Sequence, residues 1–359
     1  MTNTYDCCVL GSGIAGAASA MVLARLGLDV LVVEAGQHPR FAIGESLVPT
    51  TTLGLDYLAR TYGIPELRQI SHYPWMTESQ LTGWPKLGFW FGHHRAGHPL
   101  EAGREMMFIT PGLPMGPDVH MLREDVDSFL VARLADYGVE YRDRTSIADW
   151  QVGAKRDSLV LEREGQRRSV HARFVLDCSG HASVLAKMQN LRDSATRLRT
   201  NTRAVFSHFR GVRFLEEVLG QPCGRFGTRR DAGTIHHCFH GGWFWIIRFD
   251  SGICSVGVVL DRRLHPDNNV KAEDEFWSYV DRFPTVREQL GGAVPTRPIV
   301  KSGRLQFTSH RIFGERYLLA PHVASFVDPL FSTGMDLTTV FIARMAPVLA
   351  SLAKGGDLP

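Results

Sequence analysis

The chain has 359 residues with 40 Lys+Arg against 37 Asp+Glu, a formal charge of +3, and it is 44% hydrophobic and 21% charged. That length supports roughly two to three domain equivalents, or one large α/β unit carrying an inserted sheet, and the composition excludes a disordered or fibrous chain. So small a net charge also sets nucleic-acid binding aside, because the basic runs at 155–168 and 192–203 are interleaved with turn-forming and β-branched residues and read as solvated faces.

Six cysteines, Cys7, Cys8, Cys178, Cys223, Cys238 and Cys254, form no CxxC pair and no disulfide-like spacing. A reducing compartment fits them, and the cytoplasm is the expected location. The N-terminus has no basic segment ahead of its apolar stretch, which is broken by glycines. No later run reaches the ~18 uninterrupted apolar residues of a membrane span.

Tyr5–Leu10 is an apolar run that passes directly into Gly11-Ser12-Gly13-Ile14-Ala15-Gly16. Ala17, Ala18, Ala20, Val22, Leu23 and Leu26 follow at helical spacing, Gly27 closes the helix, and Asp29–Val33 is a second buried strand ending at Glu34. These are the parts of a dinucleotide-binding unit. The glycines let the backbone turn tightly, approach a pyrophosphate and pack helix on strand, while the helix N-terminus presents unpaired N–H groups and a positive dipole end. Glu34 follows Gly16 by 18 residues, near the ~20 expected for an acid that binds ribose hydroxyls. The alternative is a merely structural glycine turn. Placement at the N-terminus, with no second such motif, favours FAD over a nicotinamide as the primary ligand, partly by analogy.

Further along, Val119–Tyr137 holds Arg123, Asp127 and a helical apolar stripe of Phe129, Leu130 and Leu134, which Gly138 ends. Short strands are expected at Val139–Tyr141, Ser158–Arg163 and Ser169–Val170, then an apolar strand Phe174–Leu176 leading into Asp177. From Ala204 to Leu260 apolar and polar residues alternate, with strands at Trp243–Phe249 and Ile253–Val259. Such a sheet, inserted into a nucleotide-binding frame, would wall a substrate pocket. Tyr317–Ala320 is a last strand, and a helix from about Met335 to Leu352 leads into the Lys354-Gly355-Gly356 tail.

Three motifs beyond the glycine turn are specific. Arg40-Phe41-Ala42-Ile43-Gly44-Glu45-Ser46, followed by Pro49, resembles the second flavin-contacting segment of flavin-dependent halogenases and of related isoprenoid-reductase flavoproteins. Phe326 to Gly334 matches the halogenase pattern of F, two residues, P, two residues, S, one residue, G, and Trp243-Phe244-Trp245-Ile246-Ile247-Arg248 is similar to the family's WxWxIP motif with Arg248 in place of proline. Together these span nearly the whole chain and look closest to the branch that acts on small phenols.

The resemblance implies roles for these residues. Arg40, Ser46, Arg123, Asp328, Pro329, Gly334 and Met335 would contact FAD, together with Gly11, Gly13, Ile14, Ala15, Gly16 and Glu34. The backbone at Ser332, Thr333 and Gly334 would hold chloride or bromide. Independently of the family, Asp328 lies between a strand and a helix, where a carboxylate can accept hydrogen bonds from ribityl hydroxyls, and the helix opening at Gly334 can hold an anion. A plain N-cap at Ser332 or Thr333, and a helix-surface i,i+4 pair for Arg123 and Asp127, are the bland readings.

Lys86 sits in Trp84-Pro85-Lys86-Leu87-Gly88-Phe89-Trp90-Phe91, a strand-like aromatic run in which a cation is costly unless it meets a cavity or partner. By resemblance it is the catalytic lysine that receives hypohalous acid made at the flavin and positions it against an aromatic ring; a surface lysine on an edge strand is the alternative. Phe89 and Phe91 share one strand face, with Trp90 on the other, and Phe89, Trp243 and Trp245 are expected to line the substrate pocket, unless they are core. Phe331 stands where tryptophan-type halogenases carry glutamate, which points to a phenol or another electron-rich ring. His236, Cys238 and His240 share a strand face, but no carboxylate or second cysteine lies at ligand spacing, so no metal is expected.

The expected fold is α/β: an FAD-binding Rossmann-like module of the GR2/PHBH type, formed by residues 1–80, 105–200 and 300–359, with an antiparallel substrate-side sheet at 81–104 and 201–299. The C-terminal helical part of the family is absent from the expectation, since only 25 residues follow Gly334. The expected activity uses reduced FAD (FADH2), O2 and chloride or bromide, with a separate flavin reductase as partner and a small aromatic substrate, free or tethered to a carrier protein. A homodimer is left open. Aromatic hydroxylation, isoprenoid reduction and a non-catalytic FAD-binding role are the rival readings.

Overall fold

The computed structural model describes residues 3–101, 103–110, 116–193, 198–220 and 227–355. Met1, Thr2, Cys223, Gly356 and residues 194–197 of the second basic run lie outside these segments. The chain starts as expected, with β1 (Thr4–Leu10), α1 (Ile14–Arg25) and β2 (Val30–Val33). It continues through α2 (Pro49–Tyr62), β3 (Gly83–Lys86), β4 (Gly88–His93), β5 (Glu105–Ile109) and β6 (Asp118–Met121), and then β7 (Glu140–Arg142), β8 (Ser146–Gln151), β9 (Asp157–Arg163) and β10 (Gln166–Asp177).

A seven-stranded sheet runs β7-β2-β1-β10-β9-β8, with the Tyr317–Leu319 strand paired to β10. β10 pairs parallel with β1 and with Tyr317–Leu319 toward its C-terminal end, and antiparallel with β9 at its N-terminal end. That double use makes it one strand of 12 residues where two short ones were expected at Ser169–Val170 and Phe174–Leu176. The Val119–Tyr137 segment is likewise not one helix. Its start is β6, the helix is Arg123–Val131, and a 3-10 turn at Leu134–Tyr137 closes it.

The second large sheet, expected on the substrate side, has eight strands, in the order Val294–Pro295, Thr202–Arg210, Cys254–Asp261, Gly242–Arg248, Thr234–Phe239, β4 and β5, with Val300–Lys301 also on Thr202–Arg210. It is antiparallel except where Thr234–Phe239 runs parallel to β4. β5 and Val300–Lys301 belong to this sheet by their pairing, so the spans expected for the FAD module at 105–200 and 300–359 both begin within it. One face of the sheet packs Trp90, Phe209, Phe244 and Ile246 against the helices Ala272–Val280 and Pro284–Gln289 through Phe276, Tyr279 and Phe283. The other face carries Phe89, Phe91, His236, Trp243 and Trp245 toward the nucleotide-binding module. Strand alternation, with side chains of period two, separates these two sets.

Around α1, the small residues Ala17, Ala18 and Ala20 let the helix seat closely on β1 and β2, and the final helix Gly334–Ala353 packs against both α1 and α2. That last helix is long and apolar enough to cross a membrane by length and composition. Its face of Met335, Ile342, Met345, Ala346 and Leu349 is buried in the nucleotide-binding core, which accounts for its apolarity.

Candidate active site

At the nucleotide end, Gly11 has φ +93° and a Cβ there would lie 2.7 Å from the Cys178 carbonyl, while a Cβ at Gly16 would lie 1.9 Å from the carbonyl of Gly11. Only a glycine turn can therefore bring β1, β10 and the start of α1 together. Ile14 and Ala15 open the helix, whose first-turn N–H groups have no partner within it. Glu34 is buried at the end of β2 and accepts from Ser12 N and Oγ at 3.0 Å each, from Gly36 N at 2.9 Å and from Arg40 at 3.2 Å. These donors hold its carboxyl below the usual range although burial pushes the other way. Arg40 Nε and His38 Nδ1, both beside this acid, are buried without a hydrogen-bond partner. Polar atoms left open around this acid fit a sugar and its phosphates.

Arg123 opens its helix over the glycine turn. Its guanidinium clasps Asp127 with bonds of 3.0 and 2.9 Å and donates to the Ile43 carbonyl at 2.9 Å, and a Cβ added at Gly13 would lie 3.2 Å from it. Asp127 is fully buried, so the pair is a built feature of the nucleotide cleft and not a helix-surface ion pair.

The 41–47 loop crosses the sheet face from this cleft. Ser46 Oγ lies 3.0 Å from Thr234 Oγ1, which is also 2.9 Å from His120 Nε2, and Glu45 meets His208 Nε2 at 2.7 Å. Leu47 offers its carbonyl to Lys86 Nζ. Lys86 is 1% exposed, at the end of β3 and opposite Asp118 on β6. The expected single strand across Trp84–Phe91 is in fact two: β3 pairs with β6 in a small separate sheet, and the chain bends at Leu87–Gly88 into β4 of the large one. Burial lowers the Lys86 pKa to about 7, against the opposing pull of Asp118. The edge-strand surface lysine is excluded.

Beyond the bend, Lys86 Nζ lies 3.8 Å from the Phe89 ring centroid. Phe89 and Phe91 each lie 6.1 Å from the ring of Phe331, Phe91 stacks on His236 at 4.6 Å, and His236 lies 5.2 Å from Trp243. Trp245 sits deeper, donating to Ser255 Oγ at 3.1 Å, and belongs to a small apolar cluster with Leu122 and Phe249. Trp243 and Trp245 share a face as expected, whereas Arg248, where the family has proline, points to the opposite one. There it binds Asp231 at 2.5 Å and the Val212 carbonyl at 3.0 Å.

Phe331 leads directly into Ser332, Thr333 and Gly334 at the start of the last helix. Asp328 and Pro329 precede them, with Asp328 accepting from Leu330 N at 2.9 Å and partial burial raising its pKa. A Cβ at Gly334 would lie 2.2 Å from His322 Nε2, so that imidazole packs directly against the helix opening. His322, Asp118, His120 and Thr234 join this region without a signal in the sequence. Asp118 and His120 do alternate with Val119 and Met121, but four residues ahead of a helix are too few to stand out. Among the described residues no group of three or more His, Cys, Asp or Glu is placed to hold a metal.

Residues 110–355 match the model of the tryptophan halogenase family, and residues 9–72 match that of an NAD(P)-binding Rossmann-like domain. The chain is 34% identical over 365 residues to monodechloroaminopyrrolnitrin halogenase PrnC of Pseudomonas fluorescens, covering 99% of this chain and 63% of PrnC. It is 34% identical over 362 residues to the tetracycline 7-halogenase of Kitasatospora aureofaciens, covering 98% and 64%. It thus spans just under two-thirds of the length of these curated relatives. The crystal structure of halogenase PltM in complex with phloroglucinol and FAD superposes with a TM-score of 0.91 at 30% identity, covering 98% of this chain and 70% of PltM. With a dinucleotide module at its start and the halogenase model running from residue 110 through the last helix, the chain belongs to the tryptophan halogenase family of flavin-dependent halogenases.

Proposed function

We propose that this chain binds FAD and transfers chloride or bromide to a small phenolic ring through Lys86. The observation that carries the reading is the line of contacts from Lys86 to Phe89 to Phe331, which joins the buried amine to the Ser332–Gly334 segment. Phloroglucinol in the complex of the related PltM supports a phenol as the substrate class.

The glycine turn with Ile14 and Ala15, and Arg123 above it, would take the pyrophosphate. Glu34 and Arg40 would take the ribose. Ser46, Asp328, Pro329 and Met335 would orient the rest of the cofactor, and the backbone of Ser332, Thr333 and Gly334 would hold the halide. Reduced FAD, delivered by a separate reductase, supplies with O2 the oxidising equivalent that turns halide into hypohalous acid. Lys86 as an ammonium donates a hydrogen bond to the oxygen of that acid. As the O–X bond breaks and the C–X bond forms, Lys86 gives its proton to the departing hydroxide, making water, and the nitrogen then accepts the proton released by the ring. An amine with a pKa near 7 can do both at neutral pH. Phe89 and Trp243 would flank the arene, with Trp245 behind them and water excluded by the aromatic wall.

The test supplies the protein with a flavin reductase, NADH, FAD, O2 and either halide, and analyses phloroglucinol and a pyrrole panel by mass spectrometry. A halogenated phenol that disappears in Lys86→Ala, with FAD still bound, is the expected result. A hydroxylated product independent of halide, or unaided oxidation of NAD(P)H, would place the chain with the monooxygenases or reductases instead.

A further inference from the structure

We propose that Asp118 is the positioning residue that sets the protonation of Lys86, holding it as an ammonium when hypohalous acid arrives; this rests on the halogenase reading above. Lys86 and Asp118 are partners in register across β3 and β6 and are 1% and 6% exposed. Thr52 Oγ1, on α2, donates to Asp118 Oδ1 at 2.8 Å, with the Ser71 carbonyl at 3.1 Å as the competing acceptor; burial raises the Asp118 pKa and this hydrogen bond pulls it back. The remaining surroundings of Lys86 offer it little charge compensation. They are the Leu47 carbonyl, the Phe89 ring, and the histidines His120 on β6 and His236 on Thr234–Phe239, both kept neutral by burial. Among the described residues Asp118 is the one carboxylate whose charge opposes the loss of the Lys86 proton, and Lys86 in turn favours the ionised carboxylate.

Chemically, Asp118 makes and breaks no bond. The proton that leaves Lys86 for hydroxide is replaced by the one leaving the ring carbon, and the carboxylate stabilises the ammonium at both ends of that cycle. Without it a smaller fraction of the amine carries its proton at working pH, and donation to hypohalous acid slows in proportion.

The chain has six lysines, so lysine labelled with 13C at Cε gives few resonances, and Lys86→Gln assigns the one that matters. In Asp118→Asn the Lys86 titration should move down by about one pH unit, a roughly 10-fold loss of proton affinity. Thr52→Val should move it the same way by less, and Asp118→Glu should restore it. The alkaline limb of phloroglucinol halogenation should shift with the titration, with kcat falling about 10-fold at pH 8 and KM for the arene nearly unchanged. An Asp118→Asn protein in which Lys86 titrates as in the wild type, or in which the alkaline limb stays in place, overturns the proposal. If the wild type makes no halogenated product while the titration still moves, the halogenation reading fails and the charge coupling stands.

Discussion

Lys86 and Phe89 touch, with Nζ 3.8 Å from the ring centroid, although one ends the small β3–β6 sheet and the other opens the eight-stranded one. Three residues of chain thus place an amine and an aromatic wall on different supports that converge on one point. The amine is fixed from the nucleotide side by the Leu47 carbonyl, and the ring is fixed by its strand and by Phe331. A site assembled at such a joint depends on both modules keeping their relative position.

A lysine buried this deeply lowers stability, and its removal should show that. Its pKa falls from 10.5 to about 7 on folding, so between those values the unfolded chain holds a proton that the native one releases. The penalty is largest below pH 7 and vanishes above 10.5. Lys86→Met should therefore abolish halogenation, and combined with Asp118→Asn, so that no carboxylate is stranded, it should stabilise the protein by ~2–4 kcal/mol at neutral pH, a gain that shrinks toward pH 10. Urea unfolding of both proteins at pH 7 and 10 checks this, and a destabilised or pH-insensitive variant contradicts it.

Gly334 and His322 should prove mutually dependent. A methyl group at 334 would lie 2.2 Å from Nε2 of a ring held under the helix, so Gly334→Ala must push aside either the imidazole or the helix opening. The expected outcome is a KM for halide raised about 10-fold or more and stability lowered by ~1–3 kcal/mol, as for other overpacked sites. Truncating the ring as well, in Gly334→Ala with His322→Ala, should recover most of the stability. If the double variant is no more stable than the single one, the packing explanation is wrong.

Arg248 marks the departure from the family's proline, and restoring that proline should do harm. The guanidinium compensates Asp231, a carboxyl that burial pushes up and Arg248 pulls back, and it also ties down the Val212 carbonyl. Arg248→Pro should cost ~3–5 kcal/mol, the usual result of leaving one member of a buried pair alone. Arg248→Met with Asp231→Leu should lose much less, because neither charge is then stranded. A double-mutant cycle measured by chemical denaturation separates these outcomes.

Much of this was legible in the sequence, and the residues show why. The glycine turn, α1 and Glu34 are readable because every determinant lies within one 30-residue stretch whose spacing is itself the chemistry. Lys86 stood out because a cation among aromatic residues needs a partner. Its partner Asp118 did not, since the two are brought together by the pairing of β3 with β6 and nothing local ties them. The unity of β10 was hidden for the same reason: His171 and Arg173 interrupt its apolar run where it passes from antiparallel to parallel neighbours. Arg248 was visible as a departure, but only the fold shows that its side chain leaves the face that carries Trp243 and Trp245.

Acid should unfold this protein through its buried histidines before it reaches the carboxylates. His94 Nε2 lies 2.9 Å from His237 Nδ1 behind the large sheet, His237 reaches Gln289 at 2.8 Å, and His236 is sealed between Phe91 and Trp243. Burial drives their pKa values down to about 2, 4 and 3 for His94, His237 and His236. Each folded value lies below the ordinary 6.5, so the unfolded chain takes up protons that the native chain refuses. Stability is therefore intact above pH 6.5 and falls as pH drops below it, by ~1.4 kcal/mol per pH unit for each histidine that stays neutral. Melting temperatures between pH 7 and 4.5 should drop steeply, and His94→Leu, which removes the ring whose Nδ1 already lacks a partner, should flatten that slope by the share of one proton. An unchanged slope in the variant would show that His94 protonates in the native state.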